Sequence, residues 1–197
     1  MRSRRELARV NRVMGNLAWF ERALPPLARL GEAALELGAG DGALALRLRK
    51  AGLAVDALDR QPAPPAWLTW PATARWHRAD LRTFGGWAAY PIVLGNLVLH
   101  HFSDKELAAL GAALDRHARV LVFNEPLRRP RSRVLWAIGA PLGGAGPVTR
   151  HDGRVSIDAG FRDAELPRLL GLDPDRWSWS VTETFLGAYR LVASRRP

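Results

Sequence analysis

One short stretch near the start of the chain constrains its fold more than any other. The sequence "AALELGAGDGALALRLRKAGLAVDALDR", Ala33 to Arg60, contains an apolar run, three glycines, a helix-like run and a second apolar run that ends on an aspartate. Apolar runs on either side of a helical run are typical of a β-α-β unit. Because such units connect parallel strands by a right-handed crossover, this stretch predicts a parallel sheet.

The alternation of apolar and helical runs continues through the rest of the chain. It predicts an α/β fold, with a doubly wound, mostly parallel sheet, helices on both faces and ligands at the carboxyl ends of the strands. Ser103, followed by Glu106, predicts a capping box where the helix after the fourth strand begins. The predicted strands are 33–37, 54–58, 74–79, the runs "YPIVLGNLVL" and "ARVLVFNEP", and two strands in "WSWSVTETFLGAYRLVAS" that join at Gly187 or just before it; the other predicted helices are 43–51 and 163–170.

We expect residues 1–197 to form one domain, because a chain of this length with 48% hydrophobic residues buries a sizeable core. An amphipathic helix over 4–20 and an insertion over 127–161 are predicted to cover the ligand-binding edge of the sheet. Within the insertion, Asp152-Gly153 lies between short alternating flanks and predicts a hairpin turn.

The three glycines indicate what kind of ligand the edge binds. Gly38, Gly40 and Gly42 follow the first strand directly, where a backbone without Cβ atoms turns sharply and exposes the amides of a helix N-terminus. Asp59 closes the second strand about 20 residues later, in the position from which a carboxylate binds both ribose hydroxyls. These residues alone leave the cofactor open, because "GAGDGA" also fits the dinucleotide pattern of dehydrogenases, with Ala43 in its last position.

Residues later in the chain indicate which cofactor the loop binds. Glu36 directly before the loop, Asp80 after the third strand and "GNLVLHHF" at the end of the fourth accompany the motif "ELGAGDG". Together they resemble class I S-adenosylmethionine (SAM)-dependent methyltransferases, whose first motif is an acidic residue followed by G-x-G-x-G. "NRVMGN", "NLVLHHFSDKEL", "FNEPLRR" and "VTRHDGRVSIDAGF" are similar to segments of small stand-alone bacterial methyltransferases, some encoded near polyketide-type biosynthetic genes.

The resemblance implies a seven-stranded sheet in the order 3-2-1-4-5-7-6, with an antiparallel last strand inserted between strands five and six. It also implies SAM as the cofactor. Glu36 and the glycine loop would flank its methionine and ribose parts, and Asp59 would bind the ribose diol. Asp80 and the Leu81 amide would hold the adenine, with Asn96 beside the methionine end. The complete predicted cofactor-binding set is Glu36, Gly38, Ala39, Gly40, Gly42, Asp59, Arg60, Asp80, Leu81 and Asn96.

Three histidines are candidate catalytic residues. Methyl transfer from a sulfonium is an in-line displacement, so the protein mainly supplies alignment and desolvation, and a histidine is the natural base where the acceptor must lose a proton. His100 and His101 follow the fourth strand, and only one is expected to face the cleft; either could instead cap the next helix or hydrogen-bond the motif loop. His151 lies in the insertion, from where a lid could bring it over the acceptor. Glu125 could orient a base or substrate, or pair with the arginines that follow it.

The leading hypothesis is methyl transfer to a small, apolar or aromatic metabolite at oxygen or carbon. The net charge of +10 keeps an RNA methyltransferase as an alternative. A non-catalytic SAM-binding module is another, and an NAD-dependent dehydrogenase is the least favoured. The oligomeric state is not predicted.

Composition excludes several other classes. The chain has no cysteine, which rules out disulfides, cysteine nucleophiles and zinc-thiolate sites. The "HH" pair lacks the spacing of a helix-borne metal centre, so no metal is expected. No run is long and apolar enough to span a membrane, and the basic N-terminal stretch lacks the apolar core of a signal peptide. We therefore expect a cytoplasmic location.

Overall fold

In a computed structural model, described for residues 13–62, 64 and 68–197, seven strands form a single sheet. Each strand except β3 and β6 is rich in buried apolar side chains, as the alternating pattern of the sequence predicts. The strands are β1 Ala33–Leu37, β2 Ala54–Asp59, β3 Trp76–Arg78, β4 Ile92–Asn96, β5 Val120–Pro126, β6 Trp177–Glu183 and β7 Ala188–Arg195.

The order of the strands confirms the predicted fold class. They lie in the order β3-β2-β1-β4-β5-β7-β6, with β1 to β5 parallel and β7 antiparallel to both of its neighbours. β3 is shorter than the predicted strand over 74–79. Its first residues are held in a turn instead, because the Ala74 amide donates to the Pro71 carbonyl and the Trp70 indole donates to the Ala74 carbonyl, each at 2.9 Å.

Six helices of the described chain pack around this sheet. The capping box predicted at Ser103 is present, with the Ser103 hydroxyl accepting from the Glu106 amide and the Glu106 carboxylate accepting from the Ser103 amide. Of the helix predicted over 4–20, residues 1–12 lie outside the described residues. The described part is not one continuous helix, because Met14 and Gly15 form a turn, with Gly15 at a φ of 63°, and the next helix begins at Asn16. The helices are α1 Asn16–Ala23, α2 Ala43–Lys50, α3 Asp104–His117, α4 Pro130–Leu142, α5 Pro147–Asp158 and α6 Glu165–Leu169.

The hairpin turn predicted at Asp152-Gly153 is wrong, since both residues lie inside α5. The glycine serves helix packing instead of a turn. A Cβ at Gly153 would lie 2.1 Å from Cζ2 of Trp136 on α4, and the Trp136 indole donates to the Arg150 carbonyl at 3.0 Å. The missing side chain therefore lets the tryptophan ring of one helix lie against the backbone of the other.

The two faces of the sheet carry separate apolar cores. On one face, side chains such as Leu35 and Phe123 pack in a cluster with residues of α3 and α6. On the other, Ala34, Ile92 and Val122 pack with residues of α1 and α2. Because side chains alternate along a strand, these cores fix which face each polar residue at the carboxyl edge occupies. None of the helices in the described ranges is long and apolar enough to cross a membrane.

Candidate functional site

The glycine loop joins β1 to α2 at the carboxyl edge of the sheet. Gly38, Gly40 and Gly42 have φ values of 60°, 61° and 76°, a region that favours glycine. A Cβ at Gly38 would lie 2.5 Å from Cγ2 of Val98, and one at Gly42 would lie 2.6 Å from the Trp70 ring. At Gly40 the nearest atom would be the Gly38 carbonyl oxygen at 3.9 Å. The protein packs closely against two of the glycines, whereas the exposed Gly40 backbone faces open space.

Asp59, at the end of β2, is bonded to this loop. Its Oδ2 accepts the Gly40 amide and its Oδ1 accepts the Gln61 amide, both at 2.8 Å. The Ala39 amide donates to the Leu58 carbonyl at 3.1 Å. Since a carboxylate has about four acceptor positions, Asp59 keeps capacity for two hydroxyl groups.

Glu36 lies buried beneath the loop, with an exposure of 3%. Its Oε2 accepts the Ala45 amide at 2.8 Å and so satisfies a free N–H group at the start of α2, whose N-cap residue Gly42 has no side chain. Burial raises the pKa of Glu36 to about 8; the Ala45 amide opposes this rise and the charges of Asp41 and Asp59 add to it. The carboxyl is therefore mostly protonated at neutral pH.

Asp80 stands at the exit of β3 in a charged network. It accepts the Arg82 amide at 2.9 Å and the Arg82 guanidinium at 3.3 Å, with Arg60 at 3.9 Å. These contacts, the amide hydrogen bond first, hold the pKa of Asp80 below its usual value. Arg82 also binds Glu106 of the capping box, which ties this loop to α3. Leu81 is half-buried against the core on the α3 face.

A row of polar side chains crosses the α1 and α2 face of the sheet at the same edge. Asn96 lies at the end of β4, one residue past the last β1 pairing. Asn124 on β5 donates from Nδ2 to Asn96 Oδ1 at 2.9 Å, and Arg190 on β7 donates from Nε to Asn124 Oδ1 at 3.3 Å. Neither Asn124 nor Arg190 is among the site residues predicted from sequence, although both stand as polar residues in otherwise apolar runs.

Glu125 and His100 form a buried pair on the opposite face. Glu125 is fully buried, and its Oε2 lies 2.7 Å from Nδ1 of His100, whose side chain is 4% exposed. Oε1 accepts the amides of Val98 and Leu99 at 3.0 and 2.8 Å. A single carboxylate therefore fixes the whole turn that follows β4.

From sequence, Glu125 could orient a base or substrate or could pair with the arginines that follow it, and this contact distinguishes between the two. The arginines that follow it have other partners: Arg128 binds Glu165 at 2.6 Å, and Arg129 binds Glu183 at 2.9 Å. Glu125 thus orients a histidine instead of pairing with the neighbouring cations.

The three candidate histidines occupy different environments. His101 is exposed, and its ring lies 4.0 Å from that of His100. Partial burial and the neighbouring His100 lower the pKa of His101, so its imidazole is neutral at pH 7. His151 lies on α5 in an open groove of about 480 Å³ between the insertion helices, and the residues that line this groove include none from the glycine loop. The structure therefore places His100 and His101 beside the loop, through Val98, and His151 in the groove between the insertion helices.

The predicted cofactor-binding residues all lie along the carboxyl edge of β1 to β4. The open backbone at Gly40, the free capacity of Asp59 and the ionised Asp80 fit an adenosyl amino acid in position and in chemistry. Among the described residues, no group of three or more acidic or histidine side chains is placed to hold a metal ion.

Known structures share this fold. No protein-family model and no curated protein matches the sequence. The plantazolicin methyltransferase BpumL, solved with SAH, superposes with a TM-score of 0.71 and 11% identity over 98% of this chain and 90% of that chain. Magnesium protoporphyrin IX methyltransferase from Synechocystis PCC 6803, with bound SAH, gives 0.58 and 22% over 97% and 84%.

A third structure concerns the conversion of a disulfide bond into a thioacetal group during echinomycin biosynthesis. It superposes with a TM-score of 0.60 and 22% identity over 92% of this chain and 80% of that chain. At these identities the likeness establishes the fold. The chain has the Rossmann-like fold of class I methyltransferases.

Proposed function

We propose that this protein transfers a methyl group from SAM to a small molecule by in-line displacement. The observation that carries the proposal is the open glycine loop, in which the exposed Gly40 backbone faces free space beside Asp59. Loops of this kind approach a ligand through backbone atoms, and acidic side chains at the ends of neighbouring strands bind its hydroxyl groups. The bound SAH or SAM in neighbours of the same fold supports the same cofactor.

Each cofactor contact has a proposed role. Asp59 binds the ribose diol, while Asp80 and the Leu81 amide hold the adenine. Asn96 lies beside the methionine end. Because Glu36 is mostly protonated at neutral pH, it places little negative charge beneath a ligand that carries a carboxylate of its own. The other residues proposed for this contact surface are Gly38, Ala39, Gly40, Gly42 and Arg60.

The chemistry needs little more than alignment. SAM, when bound, supplies a methyl group already activated on a sulfonium. Where the acceptor must lose a proton, we assign this step to His101, whose imidazole is exposed and is kept neutral by a lowered pKa. Glu125 and His100 hold the turn that carries it.

The proposed acceptor is a small, apolar or aromatic metabolite that is methylated at oxygen or carbon. A neighbour with a TM-score of 0.70 was solved with SAH and a triazolic desmethylPZN analogue, so the fold accommodates a small-molecule ligand together with the cofactor product. We propose that residues 1–197 act as one domain in the cytoplasm, with the N-terminal helix and the insertion covering the acceptor.

An RNA methyltransferase is the second candidate, favoured only by the net charge of +10. Many arginines of the described residues are neutralised locally, as in Arg47 with Glu21 at 2.7 Å and Arg176 with Asp115 at 2.6 Å. RNA binding that weakens steeply with salt would favour this alternative. Tight SAM binding without turnover on any acceptor would favour a binding module.

Calorimetric titration with SAM, SAH and NADH tests the proposal. We expect SAM and SAH to bind and NADH to give no heat of binding. Tight NADH binding with no response to SAM or SAH would overturn this proposal. It would favour an NAD-dependent dehydrogenase instead.

A further inference from the structure

Arg190 is a partly buried cation at the binding edge. It lies near the start of β7, which runs antiparallel to β5, so this end of β7 meets the carboxyl ends of the parallel strands. Its guanidinium donates to Asn124 Oδ1 at 3.3 Å and to the Met14 carbonyl at 3.1 Å. The guanidinium carbon also lies 5.2 Å from the centre of the Trp19 ring. All of these partners are uncharged.

The lack of an acidic partner separates Arg190 from other arginines on and around β7. Arg129 binds Glu183, and Arg195 at the far end of β7 lies 3.5 Å from Asp115. Within residues 13–62, 64 and 68–197, no carboxylate pairs with Arg190. Burial and the charge of Arg22 lower the pKa of the guanidinium. A cation removed from water without a counter-ion is unfavourable, so a bound anion would stabilise this site.

The position of Arg190 suggests which ligand supplies the anion. Asn96, Asn124 and Arg190 are register partners on three adjacent strands. Asn96 adjoins the glycine loop, and Arg190 lies two strand spacings, or about 10 Å, further across the sheet. The arginine is thus displaced from the proposed cofactor site by roughly the length of a small aromatic molecule.

We propose that Arg190 binds a carboxylate of the methyl acceptor, and hence that the acceptor is a small organic acid with an apolar or aromatic body. This assignment rests on the proposed function, because the acceptor's place is defined relative to the cofactor loop. The Nη1 nitrogen, which donates to no group of the described residues, provides the further hydrogen bonds. The methionine part of SAM carries the other carboxylate that could reach the cleft, and the experiment distinguishes the two.

Calorimetric titration of the full chain with benzoate and benzamide, which differ in charge but hardly in shape, tests the proposal. In the presence of SAH, we expect benzoate to bind about tenfold or more tightly than benzamide, in line with a charge-assisted hydrogen bond. Arg190→Gln should abolish this preference and leave SAH affinity within about twofold. Arg190→Lys keeps the charge and should keep part of the preference. Arg116→Gln, an equal charge change at an exposed position on α3, should keep all of it.

Three results would overturn the proposal. Wild-type protein could show no preference for benzoate, or folded Arg190→Gln could retain the preference. Alternatively, Arg190→Gln could weaken SAH binding tenfold or more, which would assign the arginine to the methionine carboxylate. If Arg190→Gln does not fold, the titrations of wild type and Arg190→Lys still test whether the site prefers a carboxylate. Absence of SAH binding by the wild type would contradict the proposed function instead. In that case, titration with benzoate without SAH would still test whether Arg190 binds an anion.

Discussion

The glycine loop and the paired insertion helices α4 and α5 were both expected to contribute to the ligand site, yet they are built differently. The loop is held by its own hydrogen bonds, among them those from Gly40 to Asp59 and from Ala45 to Glu36. The insertion helices expose large apolar side chains, such as Ile138 at 59% and Leu142 at 83%. One region is fixed by the protein's own groups, while the other keeps apolar surface that the sheet does not cover.

This difference shows where specificity can vary in such a fold. The loop makes backbone demands, at positive φ and at close contacts with Val98 and Trp70, that few sequences satisfy. The insertion, which is much longer, makes such demands at three separated glycines: close contacts at Gly153 and Gly160, and a positive φ at Gly144. We infer that the cofactor half of the cleft tolerates little change and that the insertion can change with the acceptor.

The largest effect is expected from Gly40→Val, which directs a side chain into the space proposed for the cofactor. Gly52→Val is the matched control, since Gly52 also has a positive φ and open space around an added Cβ, but lies in the turn after α2. Both variants should lose roughly 1–2 kcal/mol of stability from backbone strain. Only Gly40→Val should lose SAH affinity, by at least about 100-fold.

Calorimetry with SAH, together with urea denaturation, measures both quantities. Equal SAH affinity in the two variants would show that the space above Gly40 does not hold the cofactor. The contrast between a fixed cofactor loop and a variable insertion would then have no functional meaning.

A second test compares two exposed histidines, His101 in the turn after β4 and His151 on the insertion helix α5. His101→Asn should lower methyl transfer by about 100-fold on an acceptor that must lose a proton, with SAM affinity unchanged, because it removes the proposed base. His151→Asn should change the rate by less than about twofold. Because the pKa of His101 lies below the ordinary value of 6.5, its imidazole stays neutral to lower pH than in an ordinary histidine. We therefore expect the wild-type rate to persist at lower pH than a base with an ordinary pKa would allow. Steady-state rates against pH for each variant measure this, and equal losses in both would assign His151 a role at the site.

The third test concerns the stability of the loop and its pH dependence. Glu36 has a pKa of about 8 in the folded protein and an ordinary value near 4.5 when unfolded, so its favourable contribution is complete below about pH 4.5 and is lost as the pH rises towards 8. Glu36→Gln keeps an oxygen for the Ala45 amide and cannot ionise. Its stability relative to wild type should therefore rise by about 2–4 kcal/mol between pH 5 and pH 8.

Urea unfolding of both proteins at the two pH values provides the measurement, and groups common to both cancel in the difference. Parallel stability profiles would mean that Glu36 ionises normally, with water reaching it beneath the loop. Leu142→Ser, at an exposed position on α4, serves as the control from the other region and should leave the pH dependence unchanged.

Local rules made the fold and the loop predictable from sequence. Glycines at positive φ, a capping box at Ser103 and apolar runs of strand length each act over a few residues, and each is present in the structure. The strand order was predicted from the family resemblance, and the sheet of this chain confirms it. The hairpin at Asp152-Gly153 failed because a glycine can serve either a turn or a close helix contact, and only the tertiary position of Trp136 distinguishes them.

The polar row could not be predicted because its members are distant in sequence. Arg190 is one of 29 basic residues, and nothing next to it marks it as lacking a carboxylate. Its environment comes from β5, 66 positions earlier, and from the Met14 carbonyl, 176 positions earlier. The pairing of Glu125 with His100 likewise depends on two strands being adjacent.

The antiparallel placement of β7 also has a consequence for folding during synthesis. β7 follows all the other strands in the sequence but lies between β5 and β6 in the sheet. A nascent chain that has already formed β5 therefore presents an unpaired strand edge until the last strand leaves the ribosome. Such an edge invites pairing with other chains, so we expect translational pausing before residue 188 to raise the aggregated fraction.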